Sequence, residues 1–433
     1  MKTRSIKISK RGRLSVSAGT VRRCLKRMED VATEAADMTG VKRNEGDTPV
    51  RCTQIAKMVD YLKERYAFRY NCVKGCTEFK ARNEDTVFEA LDTRAINRIT
   101  LEVQLAGMAV GNNDVRNFVE SDLLESYDPV GDFLSSCEGR WDGTDHIGRL
   151  ADRVPTDDAA WRGNFHTWFL GMVAQWSGKT GAMHGNSYVP LLISDQGFNK
   201  STFCRIILPP RLRWGLCDSL QLQEKKQVLR AMTELLLINL DEFNQISAKL
   251  QQGFLKNIVQ LPAVKTKRPY AAHIEEIPRR ASFIATSNMQ NVLSDPSGSR
   301  RFICVDIKEP IDVASGINYT QLYAQALAEI EGGRRWYMDR RETERLVRAN
   351  ARFQCTMPAE DFFYEYFRMG KENDDMACFM TTAAIYGILK KKAGAAVTQT
   401  NLTTFSRRLK ALPGMVCKRT CRGNEFLVEV IKE

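Results

Sequence analysis

The sequence predicts an α/β core built around a phosphate-binding loop, preceded by a mainly helical N-terminal region and followed by a small winged-helix-like C-terminal domain. Three observations lead there. Between residues 186 and 308 the short apolar runs "YVPLLIS", "ELLLINL", "ASFIATS" and "RFICVDI" alternate with helical segments such as "SAKLQQGFLKNIVQ", the pattern of a sheet covered by helices. The first run ends in a loop closed by Lys200, Ser201 and Thr202. The second ends in the acidic pair Asp241 and Glu242.

A chain of 433 residues outgrows a single core, so about two to four domains are expected. Apolar residues at 43% and charged residues at 27% are the composition of a folded protein, and no apolar run is long enough to cross a bilayer. A net charge of +12 points to a polyanionic partner, because Lys and Arg release condensed counterions when they meet phosphates. Twelve cysteines in settings such as "RFICVDI" and "STFCRII" read as reduced core residues of a cytoplasmic protein. The pairs Cys72 with Cys76 and Cys417 with Cys421 lack the two-residue spacing of ribbon-type zinc sites, so no structural metal is expected.

Along the chain, residues 1–50 are basic and then polar, with ten Lys or Arg before the first acid, Glu29. That composition fits a flexible basic arm or an organellar transit segment, and leaves the choice open. Residues 51–185 form the expected helical region, which opens with a helix in "IAKMVDYLKERYAFRYN" running into a strand and with "KGCTEFKA" returning as its hairpin partner. Residues 186–310 hold the α/β core and 311–357 a helical connection. Residues 358–433 read as helices near 359–368, 378–391 and 400–411, followed by two strands across the turn "CRGN".

The loop "SDQGFNKSTF" supplies what a bound phosphate needs. Backbone amides from Gln196 to Thr202 can turn toward an anion at a helix N-terminus, Lys200 can reach the outer phosphates, and the Ser201 hydroxyl can bind magnesium. The usual pattern G-x-x-x-x-G-K-[ST] would have glycine at Ser194 and Asn199, and only Gly197 lies inside the loop. Asn199 stands where a positive φ is expected, and Asn is among the side chains that best tolerate it, as Phe198 beside it is not. A strand ending in Asp241 and Glu242 fits one carboxylate on magnesium and one polarising a water. A third strand ends in Asn288, an amide suited to orienting a water or a γ-phosphate. The loop "SDPSGSRRF" then offers Arg300 and Arg301, either of which could stabilise charge at a neighbouring subunit's phosphate. Each element alone is ordinary, but the four in this order point to nucleotide hydrolysis.

These residues, "SDQGFNKSTF", "LINLDEF", "KRPY", "ASFIATSN" and "DPSGSRRFICVDI", resemble the virulence-associated E family, as does the lead-in "YDPVGDFLSSCEGRWDGTDHIGRLAD". The resemblance runs from about 120 through 310, and the tail is similar to the small C-terminal domain of Bacteroidetes members. It implies a P-loop ATPase of the AAA+ type, similar to superfamily three helicases, using ATP and Mg2+. It also implies a homo-oligomer, a hexamer-type ring acting on single-stranded DNA in replication of a bacterial mobile element, with a primase as a neighbour or fusion partner. Carried over by motif, Lys200 and Ser201 are the phosphate-loop pair, Asp241 and Glu242 the magnesium and water-activating pair, Asn288 the sensor, and Arg300 or Arg301 the finger. The departures at Ser194 and Asn199 put the rate of hydrolysis in question more than nucleotide binding. No primase-like carboxylate cluster lies upstream, so priming is not expected.

Two basic segments complete the expectation. "VKTKRPYAAHIEEIPRR" reads as a hairpin bearing Lys265, Lys267, Arg268 and His273, which the resemblance would place against single-stranded DNA in a ring's channel; Arg268 and Tyr270 would alternatively fix a subunit interface. From Met376 to Asn424 the chain has nine Lys or Arg and no acid, with Arg407, Arg408 and Lys410 on a helix suited to phosphate contacts. The rival reading from a different class is a DNA-binding initiator or regulator switched by nucleotide, or a defence assembly, with little turnover.

Overall fold

The computed structural model describes residues 50–431 apart from 181–184, 248–249, 268–272, 295–298, 355–357, 371–375, 395–396, 398–400 and 413. The expected basic arm at 1–49 lies outside the described residues. The chain divides into two compact units after Ser135.

The first unit opens with helix α1, Val50–Arg65, which runs directly into the expected hairpin of β1, Tyr66–Asn71, and β2, Cys76–Ala81. Strand β3, Glu89–Ala90, pairs with β2; helices α2, Thr93–Leu105, and α3, Asn112–Val119, follow, and β4, Glu125–Tyr127, pairs parallel to β1. Asp92 caps α2 by accepting from the Ala95 amide, satisfying one of the helix's orphan donors. Ile96, Ile99 and Val103 recur at helical spacing on α2 and close over Met58 and Leu62 of α1. Helix α4, Pro129–Cys137, crosses the division between the units.

The second unit begins with helices α5, His146–Ala151, and α6, Trp161–Trp176. The expected helical domain ended at 185, whereas the chain divides after Ser135, and α6 supplies the reason. From Trp168 to Trp176 it is buried at every position, with Phe165, Trp168, Phe169 and Met172 fully buried, as a helix is when protein surrounds it. Its Trp168 indole donates to the Phe283 carbonyl of the central sheet at 3.1 Å, and Trp176 stacks on Tyr323 at 5.6 Å.

The central sheet comprises β5, Val189–Ile193; β6, Leu216–Cys217; β7, Leu237–Leu240; β10, Ser282–Ser287; and β11, Phe302–Asp306. All pairings are parallel and the order is β11-β5-β10-β7-β6. Helix α7, Lys200–Ile207, follows β5, and α8, Lys225–Glu234, precedes β7. A single π-helical turn at Gln251–Leu255 leads into α9, Lys256–Ile258. The expected basic hairpin is present as β8, Ala263–Thr266, paired antiparallel with β9, Glu275–Pro278. Val189, Leu191, Ile193, Ile238, Leu240, Phe283, Ala285, Phe302 and Cys304 alternate along their strands and bury one face of the sheet together. The other face meets α6, and helix α10, Tyr319–Glu331, packs on α5 and α6; α11, Arg340–Ala349, follows.

The C-terminal region contains α12, Pro358–Tyr366; β12, Phe367–Met369; β13, Cys378–Thr381; α13, Thr382–Ala393; α14, Leu402–Ala411; β14, Cys417–Thr420; and β15, Gly423–Val430. Strand β15 is central, paired antiparallel with β13 on one edge and with β12 and β14 on the other. Three helices and two closing strands match the expected order. The expected helix at 378–391 in fact starts at Thr382, because Cys378–Thr381 is taken into the sheet and Thr381 caps the helix from the Ala384 amide.

Helices α5, α6 and α10 are tied by a largely buried polar cluster. His166 Nε2 lies 2.6 Å from Glu329 Oε2, and the Gln325 amide donates to both Asp145 and Glu329 at 2.9 Å. Burial pushes the Glu329 carboxyl up, but hydrogen bonds from His166 and Gln325 with the charges of His166 and Arg334 outweigh it and hold it below the ordinary glutamate value. A depressed carboxyl stabilises the fold above its unfolded value and loses that contribution as pH falls through the folded one. Glu329→Gln should therefore cost about 2 kcal/mol at neutral pH. Urea unfolding from neutrality down to acid should show the gap between parent and variant closing as pH drops below the ordinary glutamate range.

Candidate nucleotide site

At the C-terminal edge of the sheet three adjacent strands end in polar residues: β5 in Ser194, β10 in Asn288 and β7 in Asp241. This follows from register. Ser287 pairs with Ile193, Ala285 pairs with Leu240, and the Ser194 amide donates to the Ser287 carbonyl at 3.2 Å. Residues far apart in sequence are thus brought side by side at the carboxyl ends of parallel strands, where open α/β sheets take their ligands.

The loop from Ser194 to Asn199 departs from β5 and returns as α7. Gly197 has φ +89, and Asn199, at the helix N-cap, has φ +60 and ψ +20. The positive φ expected at Asn199 is present, and the side chain gains an anchor by donating to the Ile311 carbonyl at 3.2 Å. The first turn of α7 has no side-chain cap, so its amide end is directed to the loop as an anion site would require. Gln196, Gly197 and Asn199 are exposed, Phe198 is half-buried, and Ser201 and Thr202 are exposed on the first turn.

Lys200 turns inward and is only 7% exposed. Its ammonium donates to the Ser194 carbonyl and hydroxyl, both at 2.9 Å, to the Asp195 carbonyl at 2.8 Å and to Asn288 Oδ1 at 2.9 Å. Burial draws its pKa below the ordinary lysine value, while the charges of Asp241 and Asp195 oppose that shift. Lys200, Asn288 and Asp241 therefore share one locality. Ser194, where the usual loop has glycine, holds the lysine through its hydroxyl.

Asp241 accepts a short hydrogen bond from Thr286 of β10, and Glu242 accepts one from Gln245. Glu242 has φ +50. Asn199 and Glu242 are the two non-glycine residues with positive φ among the described residues, and both lie on this edge. Backbone held in a sparsely populated region concentrates at working sites, because the surrounding structure must over-determine it. Among the described residues no group of three His, Cys, Asp or Glu side chains could hold a metal by itself. The expected pair Ser201 and Asp241 offers one hydroxyl and one carboxylate, the kind of oxygen donors that magnesium takes in ones and twos.

The structure separates residues in two basic sets that the sequence left together. Arg300 is exposed while Arg301 is 4% exposed, so Arg300 presents its guanidinium to solvent and Arg301 is an interior residue. Arg407 and Lys410 are exposed on α14, whereas Arg408, expected on the same basic face, is 4% exposed and donates to the Ser294 carbonyl at 3.0 Å. That expectation is corrected: Arg408 lies one helical turn from the buried Phe405 and beside the buried Leu409, on the inward side of α14. On the hairpin, Lys265, Lys267 and His273 are exposed, with Lys265 directly across from Glu276; Arg268 lies outside the described residues.

Arg279, absent from the expected set, is 1% exposed at the foot of the hairpin. Its guanidinium donates to the carbonyls of Val259 at 2.7 Å, Leu261 at 3.1 Å and Asn186 at 2.5 Å, closing the end of α9. Burial pushes its pKa down to about 9. The signal was the apolar surround of the "RRASFIATS" strand, which leaves a leading arginine little water to face.

The fold and this edge define a mixed α/β protein with a parallel sheet whose strand ends gather a lysine, two acids and an amide around a helix N-terminus. Residues 134–355 match the virulence-associated protein E-like domain, just over half of the 433 residues, and the chain belongs to that family. Residues 356–428 match a domain of unknown function from B. Theta, DUF3874. No curated protein matches the chain. Among solved structures, "The apo structure of NrS-1 C terminal region (305-718)" is 12% identical, covering 89% of this chain and 100% of that chain at a TM-score of 0.42. A second, "The A form apo structure of NrS-1 C terminal region-CTR(305-718)", is also 12% identical, covering 88% and 99% at 0.42. No helix of the described residues is long and apolar enough to cross a membrane.

The left-handed conformation at residue 199 yields a direct test. A β-branched side chain there meets its own carbonyl, so Asn199→Val should destabilise by about 1–2 kcal/mol. Asn199→Gly, which is free of that clash and loses only one hydrogen bond, should stay within about 1 kcal/mol of the parent in urea unfolding.

Proposed function

We propose that the chain is a magnesium-dependent ATPase of the P-loop, AAA+ type, similar to superfamily three helicases, working as a ring-shaped homo-oligomer that moves on DNA. The observation that carries this reading is the Lys200 ammonium, which bridges the loop after β5 to Asn288 at the end of β10, 2.9 Å away, within the field of Asp241. Main-chain amides from Gln196 to Thr202 would receive the phosphates, and Lys200 would exchange its present acceptors for phosphate oxygens. Ser201 and Asp241 would hold magnesium, which when bound neutralises charge on the phosphates. Glu242 then accepts a proton from the attacking water, and Asn288 orients that water against the phosphate. Arg300 has an exposed guanidinium and serves a neighbouring subunit's site, which requires the oligomer. Lys265, Lys267 and His273 contact single-stranded DNA from the hairpin.

Turnover of ATP measured with and without single-stranded DNA tests this. Lys200→Ala should abolish turnover and weaken nucleotide binding. Glu242→Gln should keep binding but lower turnover by roughly 10²–10⁴. Arg300→Ala should be as impaired, by roughly 10³ or more, and mixing it with Glu242→Gln should recover activity, since a mixed interface can join an intact acid to an intact arginine. Nucleotide bound by the parent without turnover in any condition would instead support a nucleotide-switched DNA-binding regulator.

A further inference from the structure

The C-terminal region contains a cleft of about 390 Å³ between α13, α14 and the turn joining β14 to β15. Arg407 and Lys410 of α14 and Arg422 of the turn line it, and none of its lining residues is acidic. Among the described residues the side chains of these three cations form no ion pair or hydrogen bond, unlike Lys418 on the adjoining strand, which meets Glu425 at 3.5 Å. Their charges are therefore uncompensated by the protein.

The floor of the cleft is fixed. Thr382 donates to Ser406 Oγ at 3.0 Å and Asn424 donates to the same oxygen at 3.1 Å, so α13, α14 and β15 are tied at one point. Residues of the first turns of both helices complete the lining, while the Thr381 and Asn401 side chains already cap those turns. Three free cations thus face one volume with no acid among its lining residues, which favours an anion. The lining includes no aromatic ring, so bases have nothing to stack on as they do in single-strand binders.

We propose that this cleft grips the phosphodiester backbone of duplex nucleic acid, a binding function for the C-terminal domain distinct from the single-strand contacts of the hairpin. The contact reads charge and spacing, not sequence, since the lining offers cations and small hydroxyls rather than a set of base-reading amides. It stands apart from the nucleotide site and is measured without nucleotide, so failure of the ATPase reading leaves it in place.

The test is fluorescence anisotropy of a labelled duplex of mixed sequence with the full chain over a range of salt. Replacing Arg407, Lys410 and Arg422 together with Gln should weaken binding and flatten the slope of log K against log salt by roughly 2.7, about 0.9 for each phosphate no longer neutralised. A control triple, Lys390→Gln with Lys391→Gln and Lys392→Gln, removes equal charge from the exposed far end of α13 and should leave the slope near the parent's. The same strand offered single-stranded should lose less affinity than the duplex. Circular dichroism of both triples should match the parent. An unchanged slope in the cleft triple, an equal loss in the control, or a loss confined to the single strand would overturn the proposal.

Discussion

The parallel register of β5, β10 and β7 is the constraint on which the polar edge depends. A strand's side chains alternate with a period of two, so a slip of one residue at β10 would turn Thr286 into the opposite face and carry Asn288 away from Lys200. What prevents the slip is apolar. Phe283 and Ala285 are locked into the same buried face as Leu191, Ile193, Ile238 and Leu240, and Trp168 pins the β10 backbone from the other side. The chemistry at the edge is therefore specified by packing several residues inside the sheet, and the charged groups inherit their positions from it.

A second consequence concerns the lysine. Its four acceptors are two carbonyls, a hydroxyl and an amide, all neutral, while the nearby carboxylates act through space. A cation held only by neutral groups gives up little when a more strongly charged oxygen arrives. Ser194 contributes one of those acceptors, which gives the apparent departure from the usual glycine a physical role.

The edge was legible in the sequence because each of its parts is local: an apolar strand followed by a lysine and serine, another followed by two acids, a third followed by an amide. Asn199 was legible through its tolerance of left-handed backbone. What escaped were relations that bring together distant residues. Arg279 looked like one more basic residue of the hairpin until the carbonyls that follow α9 came to surround it. Arg408 had a signal that went unread, since it is three residues after Phe405 and next to Leu409, on the side of α14 that faces inward. The division after Ser135 likewise depends on packing between distant residues. Helix α6 is buried at every position from Trp168 to Trp176, which marks a helix inside a core.

The bond from Arg408 to the Ser294 carbonyl bears on how such proteins diversify. Two family matches meet at residues 355 and 356, and a modular view would cut the chain there. Yet this guanidinium, from the second match, reaches into the first and holds the start of the segment that leads to Arg300. A tail transplanted from a distant relative without an arginine at that turn would lose this tie across the seam, so recombination there favours tails that bring their own key.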